Sequence, residues 1–196
     1  MSAARATSGL TPAALLACAQ RRELGPAYVL AGDDSLAIEQ LVDAIRSACL
    51  TPDTQEFNYE ALHADADGVT GADVIAALDT VPFLGGVRVV VVKQADQLPA
   101  AELEAVGEHV AKLCDEARSD IMALLVCAEL DKRTKFAKLV TARGIVVACS
   151  AGAVADPAQA ARERYGKTLS HAAAAMLKEQ CGGDARVMAN ELEKVC

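Results

Sequence analysis

The sequence predicts an α/β fold in which helices cover both faces of a parallel sheet, followed by a small all-helical domain. Two nearly continuous apolar runs, Val87–Val92 and Ile121–Cys127, alternate with segments of helical periodicity. Strands that are apolar throughout are typical of a sheet buried on both faces. Around Ser150–Pro157, where small residues and proline form a linker, the pattern changes and no further strand follows. Short Ala-rich helical patterns occupy the remainder, which predicts a helical domain.

The first strand and helix come from the segment that begins at Tyr28. The apolar run Tyr28–Ala31 ends at Gly32-Asp33-Asp34-Ser35, and apolar residues then recur at helical spacing as far as Cys49. A continuous apolar run before a polar turn indicates a strand, and the recurrence after it indicates a helix. We expect Asp34 or Ser35 to be the N-cap, because both side chains accept hydrogen bonds from free backbone N–H groups.

The next segment is predicted to be a short strand followed by a capped helix. Aromatic and polar residues alternate over Glu56–Leu62, a pattern typical of a strand. Thr70 followed by Asp73 resembles a capping box that opens a helix. We expect Pro82 to end that helix, because proline cannot continue helical hydrogen bonding.

The rest of the chain alternates helical and apolar patterns and then becomes helical throughout. Amphipathic periodicity predicts helices at Ala100–Arg118 and Lys132–Ala142, and the apolar run Ile145–Cys149 predicts another buried strand. Glycines separate the last three predicted helices, which are Ala158–Tyr165, Ser170–Cys181 and Asp184–Val195.

Composition and charge exclude several classes of protein. Hydrophobic residues make up 53% of the 196 residues and aromatic residues only 3%, so the chain is too apolar to be mostly disordered. The net charge of -8 repels phosphate backbones, which argues against nucleic acid as the principal partner. The N-terminal segment lacks the run of about 18 apolar residues that a membrane span needs, so we expect no membrane partner and a cytoplasmic location.

The cysteines do not form a recognisable site. The chain has seven, an odd number, and no pair has the C-x-x-C spacing of a zinc or redox site. Four of them lie at periodic apolar positions, namely Cys49, Cys114, Cys127 and Cys149. We interpret them as small buried hydrophobic residues in a reducing compartment.

The turn Gly32-Asp33-Asp34-Ser35 lies where many α/β proteins carry a phosphate-binding loop, because a helix N-terminus offers free N–H groups and a partial positive charge. A functional P-loop also needs a second glycine, a lysine for the phosphates and a Ser or Thr for the magnesium ion. This turn has no lysine and no second glycine, and it carries two carboxylates that repel a nucleotide. We interpret it as a degenerate phosphate loop whose acidic residues cap the helix, and we expect no cofactor.

No catalytic or metal-binding set of residues is predicted. His63, in a predicted polar loop, and His109 and His171, on predicted helices, have no Cys, Asp or second His at a recognisable spacing. We therefore expect all three imidazoles to be solvated rather than catalytic.

The segment Leu130–Lys135 carries three cations at the start of a predicted helix. The favoured interpretation is a solvated charge cluster paired with nearby acids such as Glu129 and Asp131. A partner-binding patch is the alternative.

The most informative segment is Val81–Gly86, in which two large apolar residues precede two glycines. The glycines allow a sharp turn that presents side chains outward, and one of only three phenylalanines in the chain lies here. Phe83 and Leu84 either pack under the helix end as core or form an exposed apolar wedge for a protein partner. In the second case, full burial of both side chains would stabilise the complex by about 3–6 kcal/mol.

Four segments, taken in order, resemble the bacterial DNA polymerase III delta subunit of the clamp loader. They are Tyr28–Asp34, Val81–Lys93, Leu124–Lys135 and Glu191–Lys194, so the resemblance extends from Tyr28 to Lys194. It implies an AAA+-like α/β domain with a degenerate P-loop NTPase fold at residues 1–152 and a helical lid domain of three helices at residues 153–196. It also implies a C-terminal collar domain, which this sequence lacks, so we expect a fragment with a truncated lid.

The resemblance also implies a function in DNA replication. Members of the family are clamp-loader subunits of the DNA polymerase III holoenzyme, a DNA-directed DNA polymerase and hence a nucleotidyltransferase. They bind the β sliding clamp through a hydrophobic pair at a helix end and favour ring opening, without binding ATP and without catalysis of their own. In this sequence the pair falls on Phe83 and Leu84, with Thr80, Val81 and Pro82 leading in.

The implied partners are the β sliding clamp and the other clamp-loader subunits, gamma/tau and delta prime. The loader subunits would be contacted through the missing collar and the AAA+-like domain, and DNA only indirectly within the complex. Two other functions stay open at this point, namely an active nucleotide-binding P-loop-like NTPase with an atypical loop and a Cys-dependent redox protein.

Overall fold

The computed structural model describes residues 10–65, 68–149 and 166–181, together with residues 157–158, 161–162, 187–188, 191–192 and 194. The chain divides into two compact units, one of Met1–Gly32 with Ala37–Cys149 and one of Asp33–Leu36 with Ser150–Cys196. The predicted linker at Ser150–Pro157 and the predicted helices Ala158–Tyr165 and Asp184–Val195 lie largely outside the described residues.

The first unit is built on a five-stranded parallel sheet, as the sequence predicts. The strand order is β2-β3-β4-β1-β5, and every pair is parallel. The strands are β1 (Ala27–Ala31), β2 (Tyr59–His63), β3 (Arg88–Lys93), β4 (Ile121–Cys127) and β5 (Val146–Ala148). The helices are α1 (Pro12–Arg21), α2 (Ser35–Cys49), α3 (Gln55–Asn58), α4 (Gly71–Asp79), α5 (Ala100–Asp115), α6 (Lys135–Ala142) and, in the second unit, α7 (His171–Cys181).

Helices cover both faces of the sheet, because each central strand is apolar on both sides. In β3, Val90 and Val92 pack into a core with residues of α4, α5 and α6. Their neighbours Val89 and Val91 pack into a second core with residues of α1 and α2. The alternation of side chains along a strand therefore divides one continuous valine run between two helix layers.

The segment Glu56–Leu62 is not one strand, which corrects the sequence prediction. Its first part belongs to the single helical turn α3, in which the N–H of Asn58 donates to the carbonyl of Thr54 at 2.9 Å. The strand begins only at Tyr59, where parallel pairing with Val89 starts. His63 is the last residue of that strand and does not lie in a loop.

One helix was not predicted, and two helix boundaries differ from the prediction. The sequence pattern did not indicate α1, which is capped by the Thr11 side chain and buries Leu15 and Ala19 under the sheet. Helix α6 begins at Lys135 rather than Lys132, because Thr134 is its N-cap. Helix α5 ends at Asp115 rather than Arg118, close to the left-handed Ala117.

The predicted capping box at the start of α4 is present. The Thr70 side chain accepts a hydrogen bond from the Asp73 N–H, and the Asp73 carboxylate accepts one from the Thr70 N–H at 2.8 Å. Hydrogen bonds from Thr70 lower the pKa of Asp73. The helix ends at Asp79, three residues before Pro82, so the apolar segment directly follows it.

Candidate functional site

The candidate site lies at the amino ends of β2 and β3, which are neighbouring strands. Because the strands are parallel and Tyr59 pairs with Val89, the two segments that lead into them lie side by side. One is the end of α3, with Phe57 and Asn58, and the other is the loop Thr80–Val87 that follows α4.

Large apolar side chains are exposed on this loop. The exposed fractions are 75% for Val81, 53% for Phe83 and 78% for Leu84. Phe83 and Leu84 are therefore not packed as core under the end of α4. Few large hydrophobic residues are exposed elsewhere in the part of the chain that the structure describes, and a cluster of them is typical of an interaction surface.

The loop follows a backbone path that favours glycine. Leu84, Gly85 and Gly86 have φ angles of 58°, 78° and 81°, all in the left-handed region. Apart from the neighbouring residues in the chain, no atom lies within 4 Å of a Cβ placed on either glycine, so it is the backbone angle and not crowding that selects glycine there. Leu84 adopts the same conformation at a steric cost. In this conformation its side chain lies at the surface.

One buried amide connects the two segments. Asn58 is fully buried, and its Oδ1 accepts a hydrogen bond from the Phe83 N–H at 2.6 Å. Its Nδ2 donates to the carbonyls of Phe83 at 3.0 Å and Gly85 at 3.3 Å. Both ends of the amide are thus bonded to the backbone of the loop.

Aromatic and ionic contacts support the same region. The rings of Phe57 and Phe83 are tilted by 43° with centroids 4.9 Å apart. Arg88 donates hydrogen bonds to the carbonyls of Phe57 at 3.1 Å and Ala77 at 3.3 Å and to the carboxylate of Glu60. The guanidinium therefore holds together α3, the end of α4 and the first residues of β2 and β3.

His109, on α5, faces the last residue of α4. Its Nε2 lies 3.1 Å from Oδ1 of Asp79, and 15% of its side chain is exposed, although the pair does not form a hydrogen bond. The prediction of a solvated imidazole is wrong for His109, because α4 and α5 pack against each other. His171 is exposed at the start of α7.

The turn after β1 lies at the opposite, carboxyl end of the sheet. Helix α2, which follows β1, packs on one face of the sheet, and α6, which follows the neighbouring β4, packs on the other. The crevice between two adjacent strands whose helices lie on opposite faces is where α/β sheets bind ligands. Gly32, with a φ of 145°, donates its N–H to the carbonyl of Cys127 at 3.0 Å. Asp33 and Asp34 follow, and α2 begins at Ser35.

The basic segment after β4 is partly paired. Arg133 donates to Asp131 at 2.9 Å, and these hydrogen bonds lower the pKa of the Asp131 carboxyl to about 2. Lys135 contacts the carboxylate of Glu104. These ion pairs agree with the interpretation of a solvated charge cluster.

The cysteines behave as packed thiols. Cys127 and Cys149 are buried, and Cys49 and Cys114 are half-buried. Burial raises the pKa of the Cys49 and Cys114 thiols, and it raises that of Cys127 to about 12. Among the described residues no three potential ligands are grouped to hold a metal ion.

Sequence reasoning missed Phe57, Asn58 and Arg88 as parts of the site. An asparagine before a strand gives no pattern that distinguishes a buried amide from a solvated one. The scarcity of aromatic residues, with three phenylalanines in the chain, is a signal that could have drawn attention to Phe57 as it did to Phe83.

No helix in the described part of the chain is long and apolar enough to span a bilayer.

Comparisons with known proteins agree with one another. A family model described as DNA polymerase III, delta subunit, matches residues 28–150. The DNA polymerase III subunit delta of Bacillus subtilis is 25% identical over 186 residues, which cover 90% of this chain and 53% of the relative. The chain therefore spans about half the length of the curated relative it matches.

Solved structures show the same fold. The Bacillus subtilis DNA clamp loader delta protein superposes with a TM-score of 0.69 at 20% identity, over 95% of this chain and 57% of that one. A Thermotoga maritima RuvB mutant superposes with a TM-score of 0.56 at 18% identity, over 93% and 58% of the two chains. A DNA polymerase III gamma subunit-related protein from Thermotoga maritima has a TM-score of 0.52 at 12% identity, over 91% and 57%.

Proposed function

The chain belongs to the DNA polymerase III delta subunit family, and from that premise we propose that it is a clamp-loader subunit that binds the β sliding clamp and favours ring opening without binding ATP. The observation that carries the proposal is the exposure of Phe83 and Leu84, 53% and 78%, on a loop tied to a buried amide. Thr80, Val81 and Pro82 form the approach to this wedge.

The wedge suits an apolar pocket on a partner. Its large side chains come directly after a helix, where the exposed Thr80 donates its hydroxyl to the carbonyl of Ala76 at 2.8 Å. Burying two large apolar side chains stabilises a complex by about 3–6 kcal/mol. That range corresponds to about a hundredfold or more in affinity, enough for two residues to dominate an interface.

Ring opening would follow from differential binding. A partner that fits the open form of a ring better than the closed form shifts the ring toward the open form, by no more than the difference between the two binding free energies. Such a step needs no catalytic residue in this chain. The subunit would then contribute to a DNA-directed DNA polymerase holoenzyme without having enzyme activity of its own.

The proposal assigns ATP binding to other subunits. The turn after β1 carries Asp33 and Asp34 in place of a phosphate-binding lysine, and carboxylates repel a nucleotide. We expect a titration with a fluorescent Mg-ATP analogue to show no saturable binding. Tight binding would instead favour the alternative, a nucleotide-binding NTPase with an atypical loop.

The remaining partners and the domain division belong to the same proposal. Residues 1–152 would be the clamp-binding AAA+-like domain and residues 153–196 part of a helical lid. Contacts with the gamma/tau and delta prime subunits would use the AAA+-like domain together with a collar domain. DNA would be approached only within the assembled loader, in agreement with the net charge of -8.

The wedge is tested with the double variant Phe83→Ala/Leu84→Ala and the sliding clamp of the same organism. We expect the unmodified chain to form a complex on size exclusion and the variant to lose it, with an unchanged circular dichroism spectrum. Met176→Ala, which truncates an apolar side chain that is 61% exposed in the second unit, is the matched control and should bind normally. Unmodified clamp binding by the folded double variant would contradict the wedge assignment.

A further inference from the structure

Asn58 is the one polar or charged residue that is buried among the residues the structure describes. Burial of an amide costs free energy unless its donor and acceptor are both satisfied. Here the partners are the N–H of Phe83 and the carbonyls of Phe83 and Gly85, at 2.6, 3.0 and 3.3 Å. All three belong to the backbone of the wedge loop, 25 to 27 residues away in the chain.

The loop needs such a restraint. Three successive residues, Leu84, Gly85 and Gly86, have positive φ angles, and glycine residues lose the most conformational freedom when they are ordered. Phe83 and Leu84 are themselves exposed, so their side chains contribute little packing to hold the loop. The Asn58 amide supplies an interior attachment that does not cover the side chains presented to solvent.

Phe57 precedes Asn58 and faces the opposite way. The residue is 55% exposed, and its ring lies 4.9 Å, centroid to centroid, from the ring of Phe83. Its backbone carbonyl accepts a hydrogen bond from Arg88 at 3.1 Å. The helical turn α3 thus directs one residue into the interior and its neighbour onto the surface beside the wedge.

We propose that Phe57 and Asn58 complete the clamp-binding site, with Phe57 as a contact residue beside Phe83 and Asn58 as the positioning residue of the wedge loop. The inference rests on the proposed function, because the partner is the apolar pocket that receives Phe83 and Leu84. Phe57 extends the apolar surface from a separate element. Asn58 acts only through the loop backbone and touches no partner.

The two roles predict different kinetics. In Asn58→Ala the loop samples many conformations, so only a fraction of the molecules can bind, and we expect association to slow about tenfold. In Phe57→Ala the loop is intact but contact area is lost, and we expect dissociation to become about three- to tenfold faster. Phe57→Leu keeps an apolar side chain and should recover most of the lost affinity.

The experiment measures association and dissociation rates of the 196-residue chain with the sliding clamp of the same organism by surface plasmon resonance. Met176→Ala is the control, since its apolar side chain is exposed in the other unit. Thermal melts establish that each variant is folded at the temperature of the measurement. Unchanged rates for folded Asn58→Ala and Phe57→Ala would overturn the inference while leaving the wedge itself in place.

A second measurement needs no variant that could fail to fold. Hydrogen exchange of the free, unmodified chain should show a protected Phe83 N–H even though 53% of this residue is exposed, because the N–H donates to buried Oδ1 of Asn58. Rapid exchange of this N–H would overturn the positioning role. Failure of the unmodified chain to bind the clamp at all is a separate result, which would overturn the proposed function and the role of Phe57 with it.

Discussion

The amino and carboxyl ends of the same sheet carry loops of opposite character. At the amino ends of β2 and β3, exposed apolar residues lie on a loop whose backbone is bonded to the buried Asn58 amide. At the carboxyl end of β1, Gly32 leads into two carboxylates. Ligand sites of α/β sheets normally lie at the carboxyl end. In this chain the features that suit a partner lie at the amino end, which illustrates that function is carried by sites and not by folds.

Charge reinforces the difference between the two ends. The loop Thr80–Val87 has no charged residue, which suits burial in an apolar pocket without an electrostatic cost. The turns that follow β3 and β4 are charged instead, with Asp96, Glu129 and Asp131 beside Lys132 and Arg133.

The largest expected effect comes from Leu84→Asp. A carboxylate carried into an apolar pocket loses its hydration without gaining a partner, so clamp affinity should fall more than about a hundredfold. The melting temperature should hardly change, because Leu84 is 78% exposed. Isothermal titration with the clamp and a thermal melt measure the two effects.

The matched substitution at the carboxyl end is Glu129→Ala, since Glu129 is also exposed. It should leave clamp affinity unchanged. If Glu129→Ala weakened the complex and Leu84→Asp did not, the assignment of the two ends would be reversed.

A smaller effect, with opposite signs for stability and binding, is expected from Leu84→Gly. Leu84 has a φ of 58°, and relief of the left-handed strain should raise the free energy of unfolding by up to about 1 kcal/mol, after allowance for the greater freedom of glycine in the unfolded chain. Loss of the side chain should weaken clamp binding at the same time. Urea unfolding and a binding titration on the same preparation measure both quantities.

Such a variant would separate the wedge from the fold. A variant that is less stable than the wild type would contradict the expected strain at Leu84. A variant that binds the clamp equally well would contradict a role of the Leu84 side chain in clamp binding.

The smallest expected effect concerns Cys127 at the carboxyl end of β4. Burial raises the pKa of this thiol from 9.0 to about 12, so at pH 8 it should react with iodoacetamide only after unfolding, because the thiolate is the reactive form. Since the folded-state pKa is the higher one, the thiol favours the folded state below pH 9, and this contribution falls as pH rises toward 12. Mass spectrometry of alkylated peptides under native and denaturing conditions measures the reactivity.

Rapid native alkylation of Cys127 would contradict this expectation and revive the redox interpretation. Cys149 is a useful internal reference, because it is equally buried in the same unit.

The periodicity of the sequence predicted most of the first unit. The valine run of β3 and the apolar run of β4 indicated a parallel sheet covered on both faces, and Thr70 with Asp73 indicated the start of α4. The composition of Val81–Gly86 indicated a sharp turn that carries two large apolar residues, and only whether they are core or exposed stayed open. These features depend on local backbone preferences and on the burial of whole strands, so neighbouring residues are sufficient to reveal them.

Other features could not be predicted from neighbouring residues. Helix α3 replaces the first part of a predicted strand because parallel pairing with β3 begins only at Tyr59. His109 is largely enclosed because α4 packs against α5. Both outcomes depend on residues that are distant in the chain.

The sequence by itself determined the class of fold, the acidic turn after β1 and the position of the apolar pair Phe83 and Leu84, because each depends on consecutive residues. Only the tertiary structure decided that Phe83 and Leu84 stay on the surface and that Phe57 and Asn58 lie beside them. The physical reason is that β2 and β3 are adjacent parallel strands, which brings the segments before them together although 25 residues separate Asn58 from Phe83. Hydrogen bonds between such segments form only once the sheet has assembled.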